Sequence, residues 1–374
     1  SRPVATVGCM TGPALKPPAD GFATAYPPHV FDAILLVSFG GPEGMDDVMP
    51  FLENVTRGRG IPRERLLEVA HHYELFGGVS PINQQNRDLI AALRAELDAH
   101  GIDLPIFFGN RNWHPYLTDT MRELAAAGHK RVLALFTAGF SCYSGCRQYR
   151  EDVYQAQEAV GPDAPEVLKL RVFFNHPGFI EAQADILRSA LAQLAAGARE
   201  RARVLFTAHS IPNGMADASR YAQQLLEASR LTADAVGVGA GAWELVYQSR
   251  SGPPSQPWLE PDICDRLREL PGEGVGAVVV QPIGFTSDHM EVLFDLDEEA
   301  KLVAEELGLG YVRAPSAGVH PRFVAMLREL IEERIREEGA PRPAVGRYAA
   351  SHDVCPVDCC RPGNGRPSPW EPGF

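Results

Sequence analysis

The 374-residue chain carries 48 acidic and 35 basic side chains, a formal net charge of −13 that argues against non-specific binding of nucleic acid. Its length suits two α/β domains, and 45% of its residues are hydrophobic, as in an ordinary globular protein. Because no apolar run approaches the length of a membrane span and no signal-peptide core is visible, we expect a cytoplasmic protein without a transmembrane segment.

The first half of the chain alternates apolar strands with helices. Residues 1–29 are rich in Pro, Ala and Gly without periodicity, so we expect a disordered lead. Ala33–Phe39 is a buried strand that ends at Gly40-Gly41-Pro42, whose spacing matches neither a dinucleotide fingerprint nor a P-loop. These glycines favour a backbone that closely approaches a flat, bulky ligand. The remaining elements predicted here are the helices Asp46–Asn54, Arg63–Leu75, Asn83–His100 and Thr118–Ala127 and the strands Ile106–Gly109 and Arg131–Phe136.

Two loops of this half carry groups suited to anions. Arg57-Gly58-Arg59-Gly60 places two guanidinium groups in a flexible loop, which suits carboxylates or phosphates, and the alternative is a solubilising surface. Gly77-Gly78-Val79-Ser80-Pro81 predicts a tight turn that presents the Ser80 hydroxyl and free backbone amides.

The second half repeats this rhythm from Leu168–Phe173 onward. A Gly-Phe-Ser loop at Gly139–Ser141 matches a Gly-Phe-Thr-Ser loop at Gly284–Ser287, which is a weak internal repeat. The pattern predicts two similar α/β domains with parallel sheets flanked by helices and a ligand cleft between the strand ends. The elements predicted in this half are the strands Ala202–Thr207, Trp243–Gln248, Ala277–Val280 and Tyr311–Ala314 and the helices Glu181–Ala196, Ala216–Thr232, Lys301–Leu307 and Pro321–Glu337.

Candidate chemistry follows two of these strands. His209 comes directly after a buried strand, where a neutral imidazole can take a proton or bind a metal ion, although a lone histidine is more often structural. Glu291 has the equivalent place in a second strand–loop–helix unit. Helical spacing puts Asp288, Glu291, Asp295 and Glu298 on one face, which indicates either a visiting cation or a solvated acidic surface.

The seven cysteines are clustered rather than spread like a disulfide framework. Cys355, Cys359 and Cys360 offer three thiolates, one short of the four that tetrahedral zinc or an iron–sulfur cluster needs. The clustered candidates for the fourth are Cys142 and Cys146, whereas a tail of free thiols without a role is the alternative.

Several motifs together have a familiar order. They are SFGGP, NVTRGRG, FGGVSPIN, GNRNWHP, TAHSIP and IGFTSDHMEVLFDLD. From about Phe31 to Leu330 this set resembles the ferrochelatase family, and the cysteine-bearing tail looks most like its actinobacterial branch. The resemblance implies two Rossmann-like domains and insertion of Fe(II) into coproporphyrin III in haem biosynthesis. Protoporphyrin IX as the substrate, a chelatase for cobalt or nickel, and a non-catalytic porphyrin- or haem-binding protein are the alternatives.

The resemblance also implies roles for single residues. His209 matches the family's histidine as proton acceptor and metal contact, and Glu291 matches its glutamate as a proton or metal relay with Asp288 and Asp295 behind it. The implied contacts to the porphyrin are Ser80, Tyr149, Arg57 and Tyr73. Phe39 occupies the position where many coproporphyrin-type relatives carry a tyrosine that ligates the product iron, which puts a phenolate ligand in doubt.

The same branch implies a [2Fe–2S] cluster on Cys146, Cys355, Cys359 and Cys360, with Cys142 as the rival of Cys146. Coproporphyrin III, Fe(II) and downstream haem-pathway enzymes are the expected partners. The expected organisation is a lead (1–29), a first domain (30–167), a second domain (168–318), a C-terminal helix on the first domain (319–345) and the tail (346–374).

Overall fold

The computed structural model describes residues 30–58, 60–336, 341–356 and 358–365. The predicted lead, Arg59, the predicted helix end at Glu337 and the last nine residues of the tail lie outside these ranges. In the described part, parallel strands form two four-stranded sheets, which confirms the α/β class. The strands are β1 (Ala33–Ser38), β2 (Ile106–Asn110), β3 (Arg131–Phe136), β4 (Glu166–Lys169), β5 (Ala202–His209), β6 (Trp243–Gln248), β7 (Ala277–Gln281) and β8 (Gly310–Arg313).

The two sheets have the same strand order, β2-β1-β3-β4 and β6-β5-β7-β8. Every residue of β1 and β7 is buried, because helices cover both faces of each sheet and a continuous apolar run is then favoured. In this order β3 corresponds to β7, and these are the strands that precede the two similar Gly-Phe loops. The repeat in the sequence therefore reflects a repeated topology.

Helices connect the strands on both faces. They are α1 (Met45–Val55), α2 (Arg63–Glu74), α3 (Ile82–Ala99), α4 (Leu117–Ala126), α5 (Gln148–Val160), α6 (Pro177–Ala192), α7 (Ala196–Arg199), α8 (Asn213–Asp217), α9 (Tyr221–Val236), α10 (Ile263–Glu269), α11 (Met290–Val292), α12 (Lys301–Glu306) and α13 (Pro321–Ile335). A short 3₁₀ helix covers Leu270–Glu273, and π-helices cover Tyr143–Arg147 and Leu293–Ala300. Among the described residues, no helix combines the length and the apolar character needed to cross a bilayer.

The strand expected to open the second domain at Leu168 belongs to the first sheet. β4 pairs with β3 in parallel, with Leu168 opposite Leu133. The predicted boundary after residue 167 therefore cuts through a strand, and the first sheet extends to Lys169. A short apolar run gives no information about which sheet it joins, so the sequence pattern alone was misleading here.

The two sheets share one continuous hydrophobic core. Its buried side chains include Leu36 of β1, Phe206 of β5 and Phe323 of α13. Helix α13 packs against α3, which precedes β4 in the chain, and against α6, which follows it. The loops after β3 and β7 meet at the ends of the two sheets, where the Thr286 hydroxyl donates to the Thr137 carbonyl at 3.1 Å.

Candidate active site and tail thiol cluster

His209 is the last residue of β5, and its side chain approaches Glu291 across the ends of β5 and β7. The Nε2 atom of His209 lies 3.7 Å from Oε2 of Glu291. The Nδ1 atom is hydrogen-bonded to the carbonyl oxygen of Ser210. Because a carbonyl only accepts, the proton of the neutral ring is on Nδ1, and Nε2 presents its lone pair to the Glu291 side. The Tyr221 hydroxyl donates to the His209 carbonyl at 3.0 Å and anchors the strand end.

Glu291 begins a row of carboxylates on the helical segment that follows β7. The segment is α11 for its first three residues and a π-helix over Leu293–Ala300. Hydrogen bonding over five residues widens the turn, so side chains four apart, Glu291, Asp295 and Glu299, follow one another along one face. The predicted row through Asp288 and Glu298 is therefore wrong. It assumed α-helical spacing and a helix that already included residue 288, whereas the helix begins at Met290.

Asp295 is the most buried carboxyl group of this row. Burial raises the pKa of Asp295 to about 7, with a contribution from the charges of Glu291 and Glu299. The Ser249 hydroxyl and the Gln248 amide, at 3.2 Å, donate hydrogen bonds that partly offset this effect. Burial also raises the pKa of Glu299. With a pKa of about 7, Asp295 can accept and release a proton close to neutral pH.

Asp288 has a structural environment rather than a place in this row. Its Oδ1 accepts from the Ser316 backbone N–H at 3.0 Å and lies 3.1 Å from the Arg313 guanidinium. Its own peptide groups pair with the Gln85 side chain of α3: the Asp288 N–H donates to Gln85 Oε1 at 2.8 Å, and Gln85 Nε2 donates to the Asp288 carbonyl at 3.3 Å. Gln85 thus connects the first sheet to the loop that carries Glu291. No sequence pattern pointed to this glutamine.

An aromatic wall from α1, α2 and the β2 loop adjoins Glu291. Phe51 makes edge-to-face contacts with Phe39, Tyr73 and Trp113 at centroid distances of 6.3, 6.2 and 6.1 Å. Met290, next to Glu291, packs into the same apolar cluster. Burial raises the pKa of Tyr73 well above its usual range, and the Glu291 charge adds to this. A flat apolar ligand suits such a wall.

Ser80, Tyr149 and Tyr73, three of the predicted porphyrin contacts, adjoin the carboxyl edge of the first sheet, as does Phe39. Ser80 is buried against Gly41, where an added Cβ would lie 2.6 Å from the Ser80 Cβ, so this approach requires glycine. Tyr149 is buried beneath Arg111, whose guanidinium carbon is 4.5 Å from the Tyr149 ring centroid and 5.7 Å from that of Phe39. Tyr73 lies in the aromatic wall, whereas Arg57 is exposed on its loop.

Arg111 was not predicted, although it lies within the GNRNWHP motif. It forms an ion pair with Asp152, and its side chain is only 5% exposed. The pKa of Tyr149 is raised by burial, which the Arg111 charge partly opposes. Arg111 therefore organises the region between Phe39 and Tyr149.

The structure brings four thiols together, those of Cys146, Cys355, Cys359 and Cys360. The Cys146 thiol is in hydrogen-bonding contact with those of Cys355 and Cys360, and Cys355 contacts Cys359 in turn. The Sγ atoms of Cys359 and Cys360 are 3.6 Å apart. Cys142 is directed elsewhere: its sulfur accepts the Gly145 N–H at 3.2 Å, as the cap of the π-helix Tyr143–Arg147.

The surroundings of these thiols fit an anionic metal centre. Hydrogen bonds from Cys146 and Cys359, with the charge of Lys169, hold the pKa of Cys355 well below its usual range. Lys169 is itself buried, and although burial lowers its pKa, the thiol groups raise it overall. The guanidinium groups of Arg147 and Arg150 both donate to the Cys359 carbonyl, at 3.1 and 3.4 Å. Buried cations offset the negative charge of metal-bound thiolates.

The spread of the thiols distinguishes between kinds of centre. In the described residues, one set of three candidate donor atoms lies mutually within 4.8 Å, namely His352, Cys355 and Cys359. No three of the four thiols meet this criterion. A single tetrahedral zinc ion with bonds of about 2.3 Å brings all its sulfur ligands to about 3.8 Å from one another. The four-thiol arrangement is thus wider than one ion requires and fits a two-metal cluster.

Comparisons with known proteins found a family model and several relatives. A protein-family model described as ferrochelatase matches residues 31–335, which include both sheets, His209 and Glu291 but not the tail thiols. A protein named ferrochelatase from Rhodopirellula baltica is 60% identical over 331 residues, covering 88% of this chain and 93% of that protein. One named coproporphyrin III ferrochelatase from Streptomyces coelicolor is 55% identical over 349 residues, with coverage of 88% and 93%. The cobalt complex of the sirohydrochlorin chelatase SirB from Bacillus subtilis subspecies spizizenii aligns at 12% identity and a TM-score of 0.49, covering 83% of this chain and 98% of that chain.

Proposed function

This chain belongs to the ferrochelatase family, and from that premise we propose that it inserts Fe(II) into coproporphyrin III to give iron coproporphyrin III (coprohaem) in haem biosynthesis. Relatives from several actinobacteria that are named for this reaction, at about half identity or more, support the choice of porphyrin. The observation that carries the chemistry is the His209–Glu291 pair at the ends of β5 and β7.

Metal insertion replaces two pyrrole N–H protons of the ring with one iron ion, so the enzyme must accept protons beside the macrocycle. The unprotonated Nε2 of His209 is the acceptor we assign. Glu291 stabilises the imidazolium that forms, because its carboxylate lies 3.7 Å from that nitrogen. Asp295, one step along the π-helix and with a pKa of about 7, is suited to take the proton onward.

The porphyrin is flat and apolar at its centre and carries carboxylates at its rim. We assign the central face to Phe39, Phe51 and Trp113 of the aromatic wall, and the rim to Ser80, Tyr149, Tyr73 and the exposed Arg57. Since an acidic protein repels a tetracarboxylate, local hydroxyl and guanidinium donors matter more here. Phe39 offers no ligand atom, so a phenolate from this position does not ligate the product iron.

We further assign a [2Fe–2S] cluster to Cys146, Cys355, Cys359 and Cys360. The wide spread of the thiols and the buried Lys169 support this assignment. When bound, such a cluster supplies one-electron redox chemistry and a cross-link between the tail and the π-helix Tyr143–Arg147. All six cysteines in the described residues are free thiols, which suits a reducing cytoplasm where a downstream haem-pathway enzyme receives the product.

A two-domain organisation goes with this assignment. We infer a first domain from residue 30 through Lys169 and a second that ends near residue 318, with α13 packing on α3 of the first domain as well as on α6. Limited proteolysis that releases a stable fragment ending near Lys169 supports the boundary.

The test is anaerobic turnover with Fe(II), comparing coproporphyrin III with protoporphyrin IX by absorbance. We expect preferential loss of free coproporphyrin, and His209→Ala should abolish this while porphyrin binding, measured by fluorescence quenching, stays near normal. Preference for protoporphyrin would retain the chelatase and replace its substrate. Faster insertion of cobalt or nickel would reassign the metal, and binding without insertion of any metal would leave a porphyrin-binding protein.

A further inference from the structure

His352 is a fifth potential metal ligand beside the four thiols of the tail. Its Nε2 lies 3.8 Å from Sγ of Cys359, and with Cys355 these donors form the one set of three within 4.8 Å in the described residues. His352 is exposed, and the hydrophobic core makes no evident demand for it. The two-iron assignment above does not use it either.

The separations among His352, Cys355 and Cys359 are compatible with a single ion. With metal–sulfur and metal–nitrogen bonds of about 2.3 and 2.1 Å, zinc holds a thiolate and an imidazole about 3.6 Å apart, close to the 3.8 Å between Cys359 and His352. Cys360 does not belong to this set, because no three of the four thiols lie mutually within 4.8 Å. The three donors lie within eight residues, His352 to Cys359, and a tetrahedral zinc ion would complete its coordination with one exogenous ligand.

We propose that the tail binds one thiophilic divalent cation, such as Zn²⁺, through His352, Cys355 and Cys359, in competition with the four-thiol cluster. The two occupancies share Cys355 and Cys359 and cannot coexist. They differ in their other ligands, because the single-ion site uses His352 of the tail, whereas the cluster uses Cys360 and Cys146, the latter from the π-helix Tyr143–Arg147.

The difference has a structural consequence. Cluster formation ties the tail to the body of the protein through Cys146, which is buried. In a zinc-loaded tail all protein ligands of the ion come from the tail itself. The attachment of the thiol-bearing segment to the π-helix and α5 then rests on the hydrogen bonds that Arg147 and Arg150 donate to the Cys359 carbonyl. Zinc therefore competes with iron and sulfide for the tail, and the competition determines whether the tail is tied to the body.

The experiment uses full-length, metal-free protein prepared anaerobically, titrated with ZnCl₂ against a competing chelator or reconstituted with Fe(II) and sulfide. His352→Ala should lower zinc affinity at least about tenfold and still form the cluster, seen by visible absorbance. Cys146→Ser should lose the cluster and bind one zinc per chain with affinity within about threefold of the parent. X-ray absorption at the zinc edge should show one nitrogen ligand in the parent and in Cys146→Ser.

The control for adventitious zinc binding by a surface imidazole is His71→Ala, since His71 is exposed on α2 and should leave both metals unaffected. Thermal unfolding checks that Cys146→Ser is folded, and Cys146→Ala replaces it otherwise. The inference is overturned if His352→Ala keeps full zinc affinity, or if Cys146→Ser loses zinc and cluster together. The inference does not depend on chelatase activity. If the parent protein binds zinc through His352 but never forms the cluster, the zinc site stands and only the [2Fe–2S] assignment is wrong.

Discussion

The Gln85 clamp offers a direct test of how the first sheet positions the reactive residues of the second. Both polar atoms of the Gln85 amide pair with the peptide groups of Asp288, at 2.8 and 3.3 Å. Glu291 follows three residues later, at the start of the helical segment. Replacing Gln85 with alanine removes both hydrogen bonds and leaves no other side chain to restore them.

The magnitude follows from these two contacts. A hydrogen bond contributes about 1 kcal/mol net, so Gln85→Ala should destabilise the protein by roughly 2 kcal/mol. A misplacement of about 1 Å at a reacting group costs up to about 100-fold in rate, so we expect kcat to fall by about ten- to 100-fold. KM for the porphyrin should change by less than about threefold, because Gln85 is not one of the residues assigned to contact the porphyrin.

The assay is steady-state iron insertion together with urea unfolding. Gln84→Ala is the matched control, since Gln84 is the neighbouring exposed residue and bonds only within α3, to Asp88. Gln85→Glu retains the acceptor for the Asp288 N–H and loses the donor, so its kcat should lie between those of the parent and Gln85→Ala. Loss of stability with unchanged kcat would refute a positioning role, as would equal losses in Gln84→Ala.

Three further predictions concern the proton row and the tail. Glu291→Gln should lower kcat by about 100-fold while porphyrin binding persists, measured by turnover and fluorescence quenching; a mild effect would move the relay elsewhere. The folded state raises the pKa of Asp295 to about 7. The stability that this carboxyl group contributes is therefore complete below about pH 4, the pKa of an unfolded aspartate, and is lost as the pH rises through 7. Between these two pH values Asp295→Asn should gain stability relative to the parent, measured by chemical unfolding at each pH. A constant difference would contradict that pKa. Cys359→Ser should abolish the visible absorbance of reconstituted protein, and retained absorbance would exclude Cys359 as a ligand.

The strands were predictable because their physical signal is strong. β1 and β7 are buried on both faces, so each appears as an unbroken apolar run that ends at glycine or proline. Helix α10, which was missed, has no comparable signal, because only two of its seven residues, Ile263 and Leu267, are apolar and fully buried. The helix predicted over Ala216–Thr232 is interrupted between α8 and α9, since tertiary packing decides such breaks.

The site was predictable to the extent that it depends on strand ends. His209 and Glu291 follow β5 and β7, which are neighbours in one sheet, so their proximity follows from topology. The choice between Cys142 and Cys146 could not be predicted from topology, because both lie in one turn. Only the π-helix there directs the Cys146 thiol to the tail and makes the Cys142 thiol the cap of the helix. Gln85 and Arg111 depend on contacts between distant segments, and their polar side chains look like surface residues in a sequence.

The π-helix after β7 shows how the two sheets meet at the carboxylate row. Its wide turn places Glu291, Asp295 and Glu299 in a row that begins beside His209, and burial is the main cause that raises the pKa of Asp295 to about 7. Glu291 and Glu299 on either side of it are exposed, so the burial is local to Asp295. At the start of the row Met290 packs into the cluster of α1 and α2, and Gln85 of α3 bonds to the Asp288 peptide groups. The helices of the first sheet therefore hold the point from which the proposed proton row begins.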